Sequence, residues 1–103
     1  MDALNLPVQV IVYCEAGGDM RPLRFQYEDE THTVHTVPIR QITDSRKTNF
    51  VGMDAIHYIC KGTEDGKEHM YELKYTINTH LWVLIVYFSS YICSFPSSVP
   101  LQI

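Results

Sequence analysis

Five histidines, three cysteines and two groups of adjacent carboxylates are the residues of this chain with chemistry to offer. Imidazole near neutral pH can move a proton or bind a metal. A metal site needs three or four converging ligands, and neither C-x2-C nor H-E-x-x-H occurs in the chain. His32 and His35 are three apart, which puts them on opposite faces of a regular strand. His57, His69 and His80 fall on other predicted strands or strand ends. Only the fold could gather His32, His35, His57 and His80 into a metal site. The expectation is ordinary, partly exposed histidines, with no metal and no cofactor. A His-based metal-binding protein is kept as an alternative.

Cys14, Cys60 and Cys93 are odd in number and widely spaced, so they make no disulfide framework. Cys14 and Cys60 lie in apolar strand patterns, where a thiol is expected to be half-buried and inert. Glu28–Asp29–Glu30 and Glu64–Asp65 fall in predicted turns, where charge is expected to be solvated. "AGG" at 16–18 matches neither phosphate-cradling glycine pattern. No arrangement here requires catalysis, and the expectation is a protein that is not an enzyme.

The basic residues Arg21, Arg24, Arg40, Arg46 and Lys47 all lie in the first half. Phe50 follows Arg46 and Lys47 within "TDSRKTNFVG" at 43–52, the longest predicted loop. A small barrel with a basic face and an aromatic can hold single-stranded nucleic acid. Arg40, Arg46, Lys47 and Phe50 are therefore the candidate binding residues. Asp19, Glu28, Asp44 and Asp54 are interleaved with the bases, and the net charge is -4. That balance works against a polyanion or an anionic lipid surface.

The elements that must position these residues are strands. Val8, Val10, Val12 and Cys14 share one face of a strand, and "EAGGD" at 15–19 turns it. Leu23, Phe25 and Tyr27 alternate with Arg24, Gln26 and Glu28. In "THTVHTVPIRQI" the phase slips between Val34 and Val37, which predicts a bulge near His35 and Thr36. Pro38 lacks an N–H, so its strand should be an edge or irregular there. "MDAIHYICKG" is a fourth strand, "GTEDG" at 62–66 a hairpin loop, and "EHMYELKY" a fifth strand. "TINT" is a turn and "HLWVLIVYF" a sixth strand. Tyr71, Leu73 and Tyr75 should face inward, with Trp82 and Leu84 beside them from the return strand. No segment carries a capped helical stripe. The expected fold is all-β: one small barrel or rolled antiparallel sheet of about six strands, SH3-like, over residues 1–88.

Residues 89–103 read as an irregular, apolar C-terminal tail without a charged side chain. The apolar run Leu81–Phe95 would span only about 22 Å as a helix, short of the roughly 20 residues a bilayer core needs. A buried strand plus a tail is expected, with a membrane anchor as the minor reading and self-association through the tail or a strand edge as another. The chain's 103 residues fit one domain. Met1–Val12 lacks a basic n-region and an A-x-A-like cleavage site, so the cytoplasm is the expected location.

Pro22, Phe25 and Tyr27 form P-x-x-F-x-Y, followed by Val34, Val37, Tyr58, "YELKY" at 71–75 and W-x-L at 82–84. Over about residues 20–85 this resembles a group of small uncharacterised bacterial all-β proteins with P-x-x-F-x-W, V-x-x-V, Y-E-L and W-x-L motifs. Some of that group are encoded near error-prone Y-family DNA polymerases. The resemblance implies an accessory or interaction role without catalysis. Tyr27 stands where the group tends to have Trp, the basic character is muted, and the chain continues past W-x-L. The functional expectation is a small β-barrel that binds a protein partner. Single-stranded nucleic acid bound through the 40–50 loop is the alternative.

Overall fold

Period-two alternation dominates the chain, and the computed structural model, which describes residues 3–87, is made of strands and turns. The strands are β1 (Ala3–Pro7), β2 (Gln9–Cys14), β3 (Met20–Glu28), β4 (Val34–Phe50), β5 (Met53–Glu64), β6 (Lys67–Thr76) and β7 (Leu81–Tyr87). They form one antiparallel sheet in the order β1-β7-β6-β5-β4-β3-β2. The two outer strands, β1 and β2, are consecutive pieces of chain with only Val8 between them. One stretch therefore borders both β7 and β3, and the Val8 N–H donates to the Trp82 carbonyl at 3.2 Å. That connection forces the sheet to curl strongly into a half-barrel. The all-β reading and the antiparallel rolled sheet hold. The seventh strand is β1, which precedes the first predicted one. The tail at 89–103 lies outside the described residues.

The concave side is filled by Phe25, Tyr27, Val37, Tyr58, Cys60, Tyr71, Leu73, Leu84 and Val86. Each large apolar side chain placed there stabilises by roughly 1.5–3 kcal/mol through burial. Tyr71, Leu73 and Leu84 are buried as expected, in a hairpin that pairs Leu73 with Leu84 and Tyr75 with Trp82. Tyr75 and Trp82 are only half-buried. Their rings pack on each other at 4.9 Å, and Trp82 stacks on Tyr58 at 5.7 Å.

The bulges lie elsewhere than predicted. Near His35 and Thr36 the pairing with β3 is regular, and Val34 simply points outward. The slip falls in β3, where Leu23 is skipped between the pairs Ile11–Arg24 and Val12–Pro22. Leu23 is therefore exposed, and Pro22 takes the buried position. Two more slips fall in β4, at Ile39/Gln41 and Ile42/Asp44, so the strand is irregular beside Pro38 as its missing N–H requires. Each bulge bends its strand and adds twist, which is what a curled sheet needs.

The predicted loop at 43–52 is the largest correction. Asp44–Phe50 pairs residue by residue with Met53–Ile59, and the turn is only Val51–Gly52. The segment reads as loop because neither face of this arm is covered by core, so polar side chains occupy both. "GTEDG" is likewise shorter as a turn than predicted. Only Asp65 and Gly66 turn, both at positive φ, and Gly62 and Glu64 are buried strand positions.

Candidate functional site

The half-barrel has two unlike ends, and the inward positions of β4, β5 and β6 set both. Toward the start of β5 the alternation brings Ile56 and Tyr58 inward, opposite Tyr75 on β6 and beside Ser45 and Lys47 on β4. The turn between β2 and β3 lies across this mouth, contributing Gly18 and Asp19, with Met20 at the start of β3 beside them. The Tyr58 hydroxyl points at the Met20 carbonyl, 3.4 Å away. Together with Arg46 these residues line a concavity of about 680 Å³. Burial, aided by the nearby Asp19 charge, pushes the Tyr58 hydroxyl above the usual phenol range. Among the described residues, neither Arg46 nor Lys47 makes an ion pair.

The other end is closed by a polar network. Glu64 is 5% exposed and sits on the same face of β5 as Tyr58 and Cys60. Its Oε2 accepts the Tyr27 hydroxyl at 2.6 Å, and its Oε1 accepts the Tyr71 hydroxyl at 2.9 Å. His35 Nδ1 lies 3.0 Å from Oε2, and His35 Nε2 lies 2.6 Å from Asp29 Oδ2. The Asp29 contact is a hydrogen bond, and the Glu64 contact is a close approach of ring and carboxylate. His35 thus lies as a clamp between two carboxylates. The ring also stacks on Tyr27 at 4.8 Å.

Asp29 completes the network from the β3–β4 turn. Its Oδ1 accepts the N–H groups of Thr31 and Thr33 and the Thr31 hydroxyl. The hydrogen bond from His35, followed by that from Thr31, holds the Asp29 carboxyl well below its ordinary value of 3.8. Burial and the Glu64 hydrogen bond push the Tyr71 hydroxyl far above the usual range. The two carboxylate groups expected to be solvated thus contain two members, Asp29 and Glu64, that hold the closed end together. The alternation of β5, carried two residues past Gly62, is the signal that marks Glu64.

A pH dependence follows from Asp29. A folded pKa below the unfolded one means that the contribution to stability is full above about pH 4 and is lost as the pH falls further. Urea unfolding of Asp29→Asn at pH 5, 3 and 2 should show a shallower loss toward acid than wild type. Equal slopes would remove Asp29 from the network.

The other histidines stand apart. His32 pairs with Glu28 at 2.9 Å on the surface. His57 faces Glu72 at 2.9 Å and Thr48 at 3.1 Å. His69 packs on the Tyr71 ring, and His80 Nδ1 meets the Tyr75 hydroxyl at 2.8 Å. His32, His35, His57 and His80 do not converge, and among the described residues no group of three or more His, Cys, Asp or Glu side chains is arranged to hold a metal. Cys60 is buried, which pushes its thiol up to about 12, whereas Cys14 is exposed, contrary to expectation.

The four candidate binding residues all lie on β4 and divide into three places. Arg46 and Lys47 line the mouth. Arg40 is exposed at the first β4 bulge. Phe50 is 78% exposed at the hairpin tip, next to Val51 at 83%, with Met53 exposed across the turn. Val51 was not among the candidates. It adopts φ 53°, and Gly52 follows at φ 80°. Among the described residues no helix is long and apolar enough to cross a membrane. No family model, no curated protein and no solved structure matches the chain, so the resemblance to the bacterial Y-E-L … W-x-L group keeps only its coarse content, a small antiparallel all-β sheet.

Proposed function

We propose that the protein is a non-enzymatic binding module that docks a protein partner with the tip of the β4–β5 hairpin. The observation that carries this reading is Val51. A β-branched residue in the left-handed region is a genuine backbone outlier, costing about 1–2 kcal/mol. A two-residue turn with both φ values positive is satisfied far better by Asn-Gly, and this turn has Val-Gly. Val51 is almost wholly exposed, so no packing within the described chain compensates. Strain kept without internal compensation points to a role outside the fold. Phe50 and Met53 extend the same apolar tip, and such tips serve as anchors in partner pockets.

The test separates stability from binding. Val51→Asn should raise stability by about 1 kcal/mol, because Asn tolerates the left-handed region. It should at the same time weaken partner capture from nuclease-treated lysate, as should Phe50→Ser. Capture that is undiminished in both variants overturns the reading. Binding that vanishes on nuclease treatment reassigns the protein to nucleic acid.

A further inference from the structure

The outer edge of β2 is a second feature, independent of the hairpin tip. We propose that it pairs with the same edge of a second copy of this chain, antiparallel and centred on Val12, to give a homodimer with one continuous sheet. The backbone fixes which groups are on offer. The Glu15 N–H donates to the Asp19 carbonyl at 2.8 Å, so the backbone of Glu15 is turned toward β3. Alternation back along β2 turns the backbone of Tyr13 and Ile11 toward β3 as well. It turns the N–H and C=O groups of Val10, Val12 and Cys14 the other way. β2 ends its sheet, so no strand among the described residues takes those groups. Closer to β1 the same side is occupied, because the Val8 N–H donates to the Trp82 carbonyl. The available span is therefore Val10–Cys14, bounded by β7 before it and by the turn at 15–19 after it.

This span is complementary to itself. A two-fold axis through Val12 sets Val12 against Val12, Val10 against Cys14 and Ile11 against Tyr13. Ile11 is 49% and Tyr13 50% exposed, and a β-branched residue opposite an aromatic is a favourable cross-strand pair. Gln9–Cys14 holds neither a charged side chain nor a proline, the devices that usually blunt an edge. The longer free edges elsewhere carry them. Pro7 on β1 has no N–H to give. Lys67 and Glu68 open the free part of β6. The unpaired side of Asp44–Phe50 on β4 is centred on Lys47, so self-pairing there would set Lys47 against Lys47. On a chain of net charge -4, a second copy meets least repulsion where the contact itself carries no charge. A standard interface takes about 800 Å² from each partner, more than this span offers, so the dimer should dissociate in the micromolar range.

Sedimentation of the full chain from about 1 to 500 µM should show a monomer–dimer equilibrium. The Val12 amide should exchange more slowly in the concentrated sample than in the dilute one. Ile11→Lys with Tyr13→Lys sets like charges opposite each other on both sides of the axis and should raise the dissociation constant at least about tenfold. Ile11→Lys with Tyr13→Glu sets opposite charges in the same contacts and should restore the dimer. A full chain that stays monomeric up to about 500 µM overturns the proposal. If the Val12 amide is then protected at every concentration, the edge is covered by another segment of the same chain. A double-lysine variant that associates as tightly as wild type also overturns it and moves self-association to another surface. Failure of the Lys/Glu variant to recover dimerisation rules out the pairing centred on Val12, and the proposal with it.

Discussion

Glu64→Leu is expected to destabilise the protein by about 3–5 kcal/mol, read as a fall in the urea midpoint. The loss has several parts. Two tyrosine hydroxyls, Tyr27 and Tyr71, are left without their acceptor inside the barrel. His35 keeps Asp29 but loses its second carboxylate. Each orphaned buried donor costs about 1–3 kcal/mol, whereas removing all partners together can be nearly neutral. The triple variant Glu64→Leu/Tyr27→Phe/Tyr71→Phe should therefore be more stable than Glu64→Leu alone. Glu64→Gln should fall between, because an amide offers only one acceptor oxygen to two hydroxyl donors. A Glu64→Leu loss below about 1 kcal/mol would mean that the carboxylate is solvated after all.

The network also explains why the two ends of the half-barrel differ. At the closed end every inward polar group has a partner, and His35 ties the β3–β4 turn to the end of β5. At the open end Lys47 and Asp19 have exposed charges over an aromatic floor, and Arg46 borders the concavity from the opposite face of β4. The closed end fixes the shape, and the open end and the hairpin tip remain available for contacts outside the chain. A single long hairpin, β4–β5, carries parts of all three.

How far this was legible in the residues depends on what each strand faces. The pattern of Tyr71, Leu73 and Tyr75 shows plainly because one side of β6 is core and the other is water. In β3 the same pattern misleads at Leu23, because a bulge shifts the phase and a lone slip leaves no mark in a run of apolar residues. The arm at 43–50 is invisible to alternation, because it projects beyond the core and both faces are polar. What holds it is its pairing with the β-branched residues of β5 and a two-residue turn, neither of which shows in its own composition. Glu64 was hidden by its neighbours. Beside Asp65 and Gly66 it reads as turn chemistry, although its parity with Tyr58 and Cys60 places it inside. The mouth joins Asp19 to Arg46 and Lys47 across more than 25 positions of chain, a proximity created only by curling the sheet. Val51 shows nothing unusual by type. Only the turn geometry makes it conspicuous.

Gly62→Ala is the second substitution expected to have a large effect, and its cause is steric alone. A Cβ at this position would lie 2.6 Å from Val37 Cγ1, 3.0 Å from a Tyr71 ring carbon and 3.1 Å from the Pro38 carbonyl oxygen. Val37 is fully buried and Tyr71 is held by Glu64, so neither can withdraw easily. Gly62 also pairs with Ile39 at the edge of the first β4 bulge, where Pro38 already removes a ladder donor. A residue without a side chain lets β4 approach β5 there despite the irregular backbone. Replacing Gly by Ala elsewhere in a strand stabilises by about 0.4–1 kcal/mol through the unfolded chain. Overpacking should outweigh that here, giving a net loss of about 2 kcal/mol in urea unfolding. The steric origin predicts a specific rescue. Val37→Ala alone should cost about 2 kcal/mol as a cavity. In the Gly62→Ala background it removes the 2.6 Å contact, so the double variant should lose clearly less than the sum of the two. Strict additivity would place the strain somewhere other than this contact, and a neutral Gly62→Ala would show that β4 and β5 are not as close at Pro38 as their pairing requires.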